Sequence, residues 1–113
     1  LFLSIHNNAY NTKSHGTETL YYPTPAGATG FTSKRFAQII QSRLVSKLKT
    51  KDRGIVERPN LVVLKATKMP AALAEVAFMD NSEELQKLKT EEFRQKAAEA
   101  LCEAVIQALA EVE

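Results

Sequence analysis

The feature that most constrains this chain is the alternation of two apolar periodicities along it. Short runs with strand character are separated by longer stretches in which apolar residues recur at helical spacing. Leu1–His6 is an almost unbroken apolar run and reads as a strand covered on both faces, the kind found in parallel sheets. Asn7–Gly16 is polar and turn-rich and reads as a loop. Thr17–Tyr22 alternates and carries β-branched and aromatic residues, which gives a second strand. Pro23 and Pro25 end it, and Gly27 and Gly30 extend the loop. Thr32 or Ser33 caps a helix through about Leu48, with Phe36, Ile40, Leu44 and Leu48 on one stripe. "KTKDRG" reads as a turn at the end of that helix, with Arg53 exposed and Gly54 at positive φ. Leu61–Lys65 is expected to be a third strand and Ala72–Phe78 a fourth. Asn81 followed by Glu84 resembles a capping box for a short helix to Leu88. Thr90 caps a last helix whose Phe93, Ala97, Leu101, Val105 and Leu109 repeat every four residues and are expected to pack on the sheet.

Strands alternating with helices imply an α/β domain with a mostly parallel or mixed sheet flanked by helices. The 113 residues suffice for one domain and not two. No apolar run approaches the roughly 20 residues that span a bilayer, so no membrane partner is expected. No basic region precedes Leu1–Ile5, so that segment does not read as a signal peptide. The net charge is only +2, and the cations are interleaved with glutamates, which argues against nucleic acid as a partner. The single cysteine, Cys102, excludes an internal disulfide. It falls in the apolar stripe of the last helix and is expected to be a buried, inert thiol.

Two residues break the local apolar logic, and such breaks mark candidate sites. His6 stands where the first strand stops, at the kind of strand end where ligands bind in open α/β sheets. It is either a strand-end histidine hydrogen-bonded to a neighbour or a metal ligand. Glu75, in "ALAEVAF", is an ionisable group inside an apolar strand. A buried carboxylate is costly unless it is paired, hydrogen-bonded or on a metal. It is either bonded to a backbone N–H or an arginine, or it is a general base with a pKa raised by burial. Glu18 alternates on a strand and is expected to face solvent, and His15 sits in a polar loop and is expected to be solvated. The glycines at 27 and 30 are too sparse for a phosphate loop, and no serine sits on a glycine-flanked elbow with a histidine partner.

Three separated segments together point further. "FLSIHNNA", "GTETLYY" and "KDRGI…NLVVLKATKMPAALAEVAFMDN" resemble, in order and spacing, the zinc-dependent N-acetylmuramoyl-L-alanine amidases of the amidase-3 family. That family cleaves the amide between N-acetylmuramic acid and the L-alanine of the peptidoglycan stem peptide. The resemblance implies that His6 is a zinc ligand, that Glu75 is the catalytic glutamate, and that Asn8 lines the same pocket and binds substrate. It implies a loop at Pro23–Thr32 beside the site, peptidoglycan as the partner, and a place outside the cell membrane, in the wall or periplasm, or in a phage lysin. The chain departs from the family pattern at Ala77, where glycine is usual, and at Ala74, where a bulkier aliphatic residue is usual. The family's other zinc ligands, a histidine and a glutamate, precede the strand that bears the third. On this reading residues 1–113 are the later two-thirds of an amidase-3-like catalytic domain, without its first strand and helix. The chain alone is then expected to be inactive and to hold zinc poorly, and an uncovered apolar face invites self-association. The alternative is a non-catalytic peptidoglycan-binding or structural α/β module.

Overall fold

A computed structural model describes residues 1–113. In chain order the elements are β1 (Phe2–Asn8), β2 (Thr17–Tyr21), α1 (Ser33–Leu48), β3 (Asp52–Glu57), α2 (Val62–Lys65), β4 (Ala71–Phe78), α3 (Ser82–Leu88) and α4 (Glu91–Val112). The four strands form one mixed sheet in the order β1-β4-β2-β3. β1 is parallel to β4 and β2 to β3, while β2 and β4 are antiparallel. Helices flank this sheet, as an α/β domain requires.

One face of the sheet is covered by α1 and α4. Ala72, Ala74 and Val76 of β4 meet Phe36, Ile40 and Leu44 of α1 and Phe93, Ala97 and Leu101 of α4 in the main core. Small residues on β4 let the helices approach closely: Ala72 and Ala74 are fully buried beneath them. α1 starts where the Thr32 hydroxyl accepts the Arg35 N–H, and it ends at Lys49 in the left-handed region. α4 runs antiparallel to α1, with Arg35 paired to Glu111 at one end and Lys47 paired to Glu103 at the other.

The opposite face is only half covered. Leu20, Leu64, Ala71 and Leu73 form a second, smaller core with Phe2, Tyr22, Val56 and Leu61 packed against it. Leu61 and Leu64 belong to the segment expected to be a strand. It is instead one turn of helix, because its inward residues stand three apart while Val62 and Val63 point outward. The "KTKDRG" stretch also differs from expectation. The helix is closed by Lys49, and Asp52–Glu57 forms the edge strand β3. Gly54 has φ +78 inside that strand, not at a helix cap. It absorbs a bulge in which Thr17 pairs with Asp52 but Thr19 pairs with Ile55.

β1 is not covered on both faces. It is the other edge strand, and Ile5, His6 and Asn7 are exposed. Cys102 is exposed as well. Residues four apart advance by about 40° around a helix, so the series from Phe93 to Leu109 drifts off the buried stripe of α4. Beyond Leu101 the stripe passes to Ala104 and Ala108, leaving Leu109 in solvent and Cys102 on the outer side.

Candidate active site

The site begins where the cover of the second face ends. On β2, Thr17 and Thr19 turn toward α1, where Gln41 is buried between them. The Gln41 amide donates to the Thr17 carbonyl at 2.7 Å and to Asp52 at 2.8 Å, and its oxygen accepts from the Thr19 hydroxyl at 3.0 Å. Successive side chains on a strand point to opposite faces, so Glu18 must project from the half-open face. This contradicts the expectation that it simply faces solvent: Glu18 is half-buried and lies directly across from Glu75 in the β2–β4 register. On the other side of β4, Glu75 is the register partner of His6. Arg53 of β3 extends the line, its Nε 3.7 Å from Glu18 Oε2. His6, Glu75, Glu18 and Arg53 therefore form one row of side chains across all four strands.

Within this row Glu75 is half-buried, and its Oε2 is shielded from solvent without a hydrogen-bond partner. Burial raises the pKa of this carboxyl above its ordinary value. The charge of His6 draws it partway back, and the charge of Glu18 pushes it further up. The group is thus a carboxylate with a free lone pair and enhanced basicity. Asn8 joins the row through its amide, which donates to Glu18 Oε1 at 2.7 Å. Arg53 is not the exposed residue expected from the sequence. It is partly buried, its guanidinium sits 4.9 Å from the centroid of the Phe78 ring, and it donates to the His15 carbonyl at 3.4 Å. The His15 side chain is exposed, as expected for a loop residue.

The loop between Asn8 and Gly16 is fastened to the far end of β4. Asp80 accepts the backbone N–H groups of Tyr10 and Thr12 at 2.9 and 3.1 Å, and Asn8 accepts the Met79 N–H at 2.7 Å. Glu84 is buried and accepts the N–H groups of Gly16 at 3.0 Å and Phe78 at 2.8 Å. Its role is therefore not the reciprocal half of a capping box, although Asn81 does cap α3 by accepting from Glu83 and Glu84. Gly16 has φ +112, and a Cβ there would lie 2.6 Å from the Lys51 carbonyl. No other residue fits that turn without a shift.

The loop from Tyr22 to Thr32 does not border the row. β2 runs antiparallel to β4, so its end at Tyr21 lies toward Ala71, about 13 Å along the strand from Glu75 at ~3.3 Å per residue. That loop instead lines a separate groove with Leu64–Pro70.

No group of three or more His, Cys, Asp or Glu side chains is arranged to hold a metal ion. His6 supplies the one imidazole in the row, and Glu75 beside it keeps an oxygen free. An imidazole so placed can supply one of the ligands that a zinc ion requires.

The model of the amidase-3 family, described as N-acetylmuramoyl-L-alanine amidase, matches residues 1–107. An uncharacterized cell wall amidase of Bacillus anthracis is 42% identical over 109 residues, which span 94% of this chain and 20% of that protein. The N-acetylmuramoyl-L-alanine amidase LytC of Bacillus subtilis is 42% identical over 107 residues, spanning 94% of this chain and 21% of LytC. The crystal structure of the N-acetylmuramoyl-L-alanine amidase of Clostridium difficile 630 superposes with a TM-score of 0.86 at 39% identity, covering 96% of this chain and 56% of that one. The chain thus spans about a fifth of these two relatives and little more than half of that solved structure.

Proposed function

The chain belongs to the amidase-3 family of N-acetylmuramoyl-L-alanine amidases, and from that premise we propose that it is part of a zinc-dependent peptidoglycan hydrolase that cleaves the amide joining N-acetylmuramic acid to L-alanine. The observation that carries this reading is the pair in the middle of the row: a strand-end histidine beside a half-buried glutamate whose Oε2 has no partner. In this reading residues 1–113 are the later part of one catalytic domain. His6 holds zinc as one of several ligands, and the others lie outside these residues.

Zinc, when bound, supplies Lewis-acid polarisation of the scissile carbonyl and acidifies the attacking water. The remaining chemistry belongs to this chain. Glu75 Oε2 accepts the proton of the attacking water. Its carboxyl, raised in pKa by burial, then holds that proton long enough to deliver it to the leaving nitrogen of L-alanine. One group serves both steps because it is neutral only between them. Asn8 and the clamped loop Ala9–His15 border the place where the glycan and peptide enter.

No helix is long and apolar enough to cross a membrane, and we place the action at the cell wall, in a secreted protein or a phage lysin. The exposed edge strand β1, with Ile5 59% exposed against α4, supports self-association of the 113 residues when they stand alone.

Purified peptidoglycan digested by the intact protein tests the reading. New L-alanine N-termini, counted by amine labelling and mass spectrometry, are expected to appear, to vanish with a chelator and to return with zinc. Release of reducing sugar ends or of other peptide termini in place of L-alanine overturns it.

A further inference from the structure

We propose that Arg53 is a positioning residue for this hydrolysis: seated on the Phe78 ring, it holds the Glu18 carboxylate so that Glu18, and not Glu75, engages the Asn8 amide. The proposal rests on the reading of Glu75 as the base.

The row sets two carboxylates directly opposite each other on neighbouring strands. Like charges in that position destabilise a sheet pair, so Glu18 needs a cation of its own. His6 lies on the far side of Glu75 and serves the metal in the present reading. Arg53 is the cation next to Glu18, and its Nε is shielded from solvent with no hydrogen-bond partner. Its place is fixed independently of Glu18. The guanidinium lies over Phe78, one head-group N–H reaches the His15 carbonyl, and Gly54 bulges the strand just after it. A planar cation stacks on an aromatic face in a way that an ammonium on a flexible stem does not.

The consequence reaches Asn8. Its amide crosses β4 to bond Glu18 at 2.7 Å, while Glu75 Oε2 remains without a donor. A base must keep its lone pair for the proton it removes. A carboxylate released from Arg53 frees the Asn8 amide to turn to Glu75, which occupies the base and swings Asn8 away from the substrate.

The test uses the intact zinc-loaded protein and a muramyl peptide. Arg53→Met, which keeps packing on Phe78 but removes the charge, is expected to lower kcat about 10- to 100-fold, the scale of a small misplacement. KM and zinc content stay near wild type. Arg53→Lys restores part of the loss, and Glu18→Gln causes a loss similar to that of Arg53→Met. Combining the two adds little, because they act through one network. A second readout needs no activity: the Asn8 side-chain amide, followed by nitrogen-resolved NMR, is expected to shift and to exchange faster with solvent in Arg53→Met. Unchanged turnover per folded molecule, or an unchanged Asn8 amide, overturns the proposal, even if the variant melts at a lower temperature. Should the wild type release no L-alanine termini, the amidase reading fails, and the Asn8 amide still decides the positioning of Glu18.

Discussion

Glu75 is the single charged residue in a strand whose other seven positions are buried, and the half-covered sheet face is what makes room for it. Its raised pKa has a thermodynamic sign. In zinc-free protein the folded chain binds this proton more tightly than the unfolded chain does, so the group's contribution is complete below the unfolded-state pKa and is lost as pH rises through the folded-state value. Glu75→Gln is therefore expected to raise the melting temperature at neutral pH. The gain should fade below the ordinary glutamate pKa of about 4.3, and an equal gain at all pH values would contradict the assignment. His6 is exposed at a strand end, so His6→Ala is expected to lose zinc and activity together in the intact protein while circular dichroism stays unchanged. An unfolded variant would make His6 structural. Both residues stood out in the sequence because each interrupts an apolar run, and the structure sets them side by side. Glu18 did not stand out. Alternation shows that a residue leaves its strand on one side or the other, but the side is decided here by Gln41, more than 20 residues away, which turns Thr17 and Thr19 inward.

At the scale of elements, the strand-ending loop Ala9–His15 has no regular structure of its own and depends on two carboxylates from the segment after β4. Asp80 holds its start, and Glu84 holds its end at Gly16 together with the end of β4 at Phe78. Glu84→Ala leaves two buried N–H groups without an acceptor, each worth about 1–3 kcal/mol. Urea denaturation is expected to show a loss of that order. Hydrogen exchange should quicken at Gly16 and Phe78 before it does so in α1. A loss spread evenly over the molecule would mean that Glu84 is not a local clamp. The long helices were legible, since caps at Thr32 and Thr90 and the periodicities that follow them agree. The short elements were misjudged where residue type and position disagree. "LVVLK" has β-branched residues but buries positions three apart, and the edge strand β3 hides in a segment with glycine and charges that reads as a turn. Cys102 was misplaced because it adjoins buried Leu101 in sequence but stands about 100° further around the helix.

Over the whole molecule, the architecture separates stability from chemistry. The face covered by α1 and α4 carries the main core, with Phe36, Ile40 and Leu44 fully buried. Truncating Leu44 to alanine is expected to cost about 2–5 kcal/mol without altering the row on the other face, and a selective loss of turnover at full stability would show that the two faces are coupled. The half-open face brings His6, Glu75, Glu18 and Arg53 together on one surface. The α/β class and the layering were legible from the order of periodicities. The location of the Tyr22–Thr32 loop was not, because it follows from the antiparallel direction of β2, which no local pattern encodes. The central claim is that Glu75 moves the proton in amide hydrolysis. It is tested most directly by comparing intact wild type with Glu75→Gln on purified peptidoglycan, counting new L-alanine N-termini and bound zinc in the same samples. The account predicts that the variant keeps its zinc and loses about 10²- to 10⁴-fold in rate. Near-normal release of L-alanine termini by the zinc-loaded variant would contradict it.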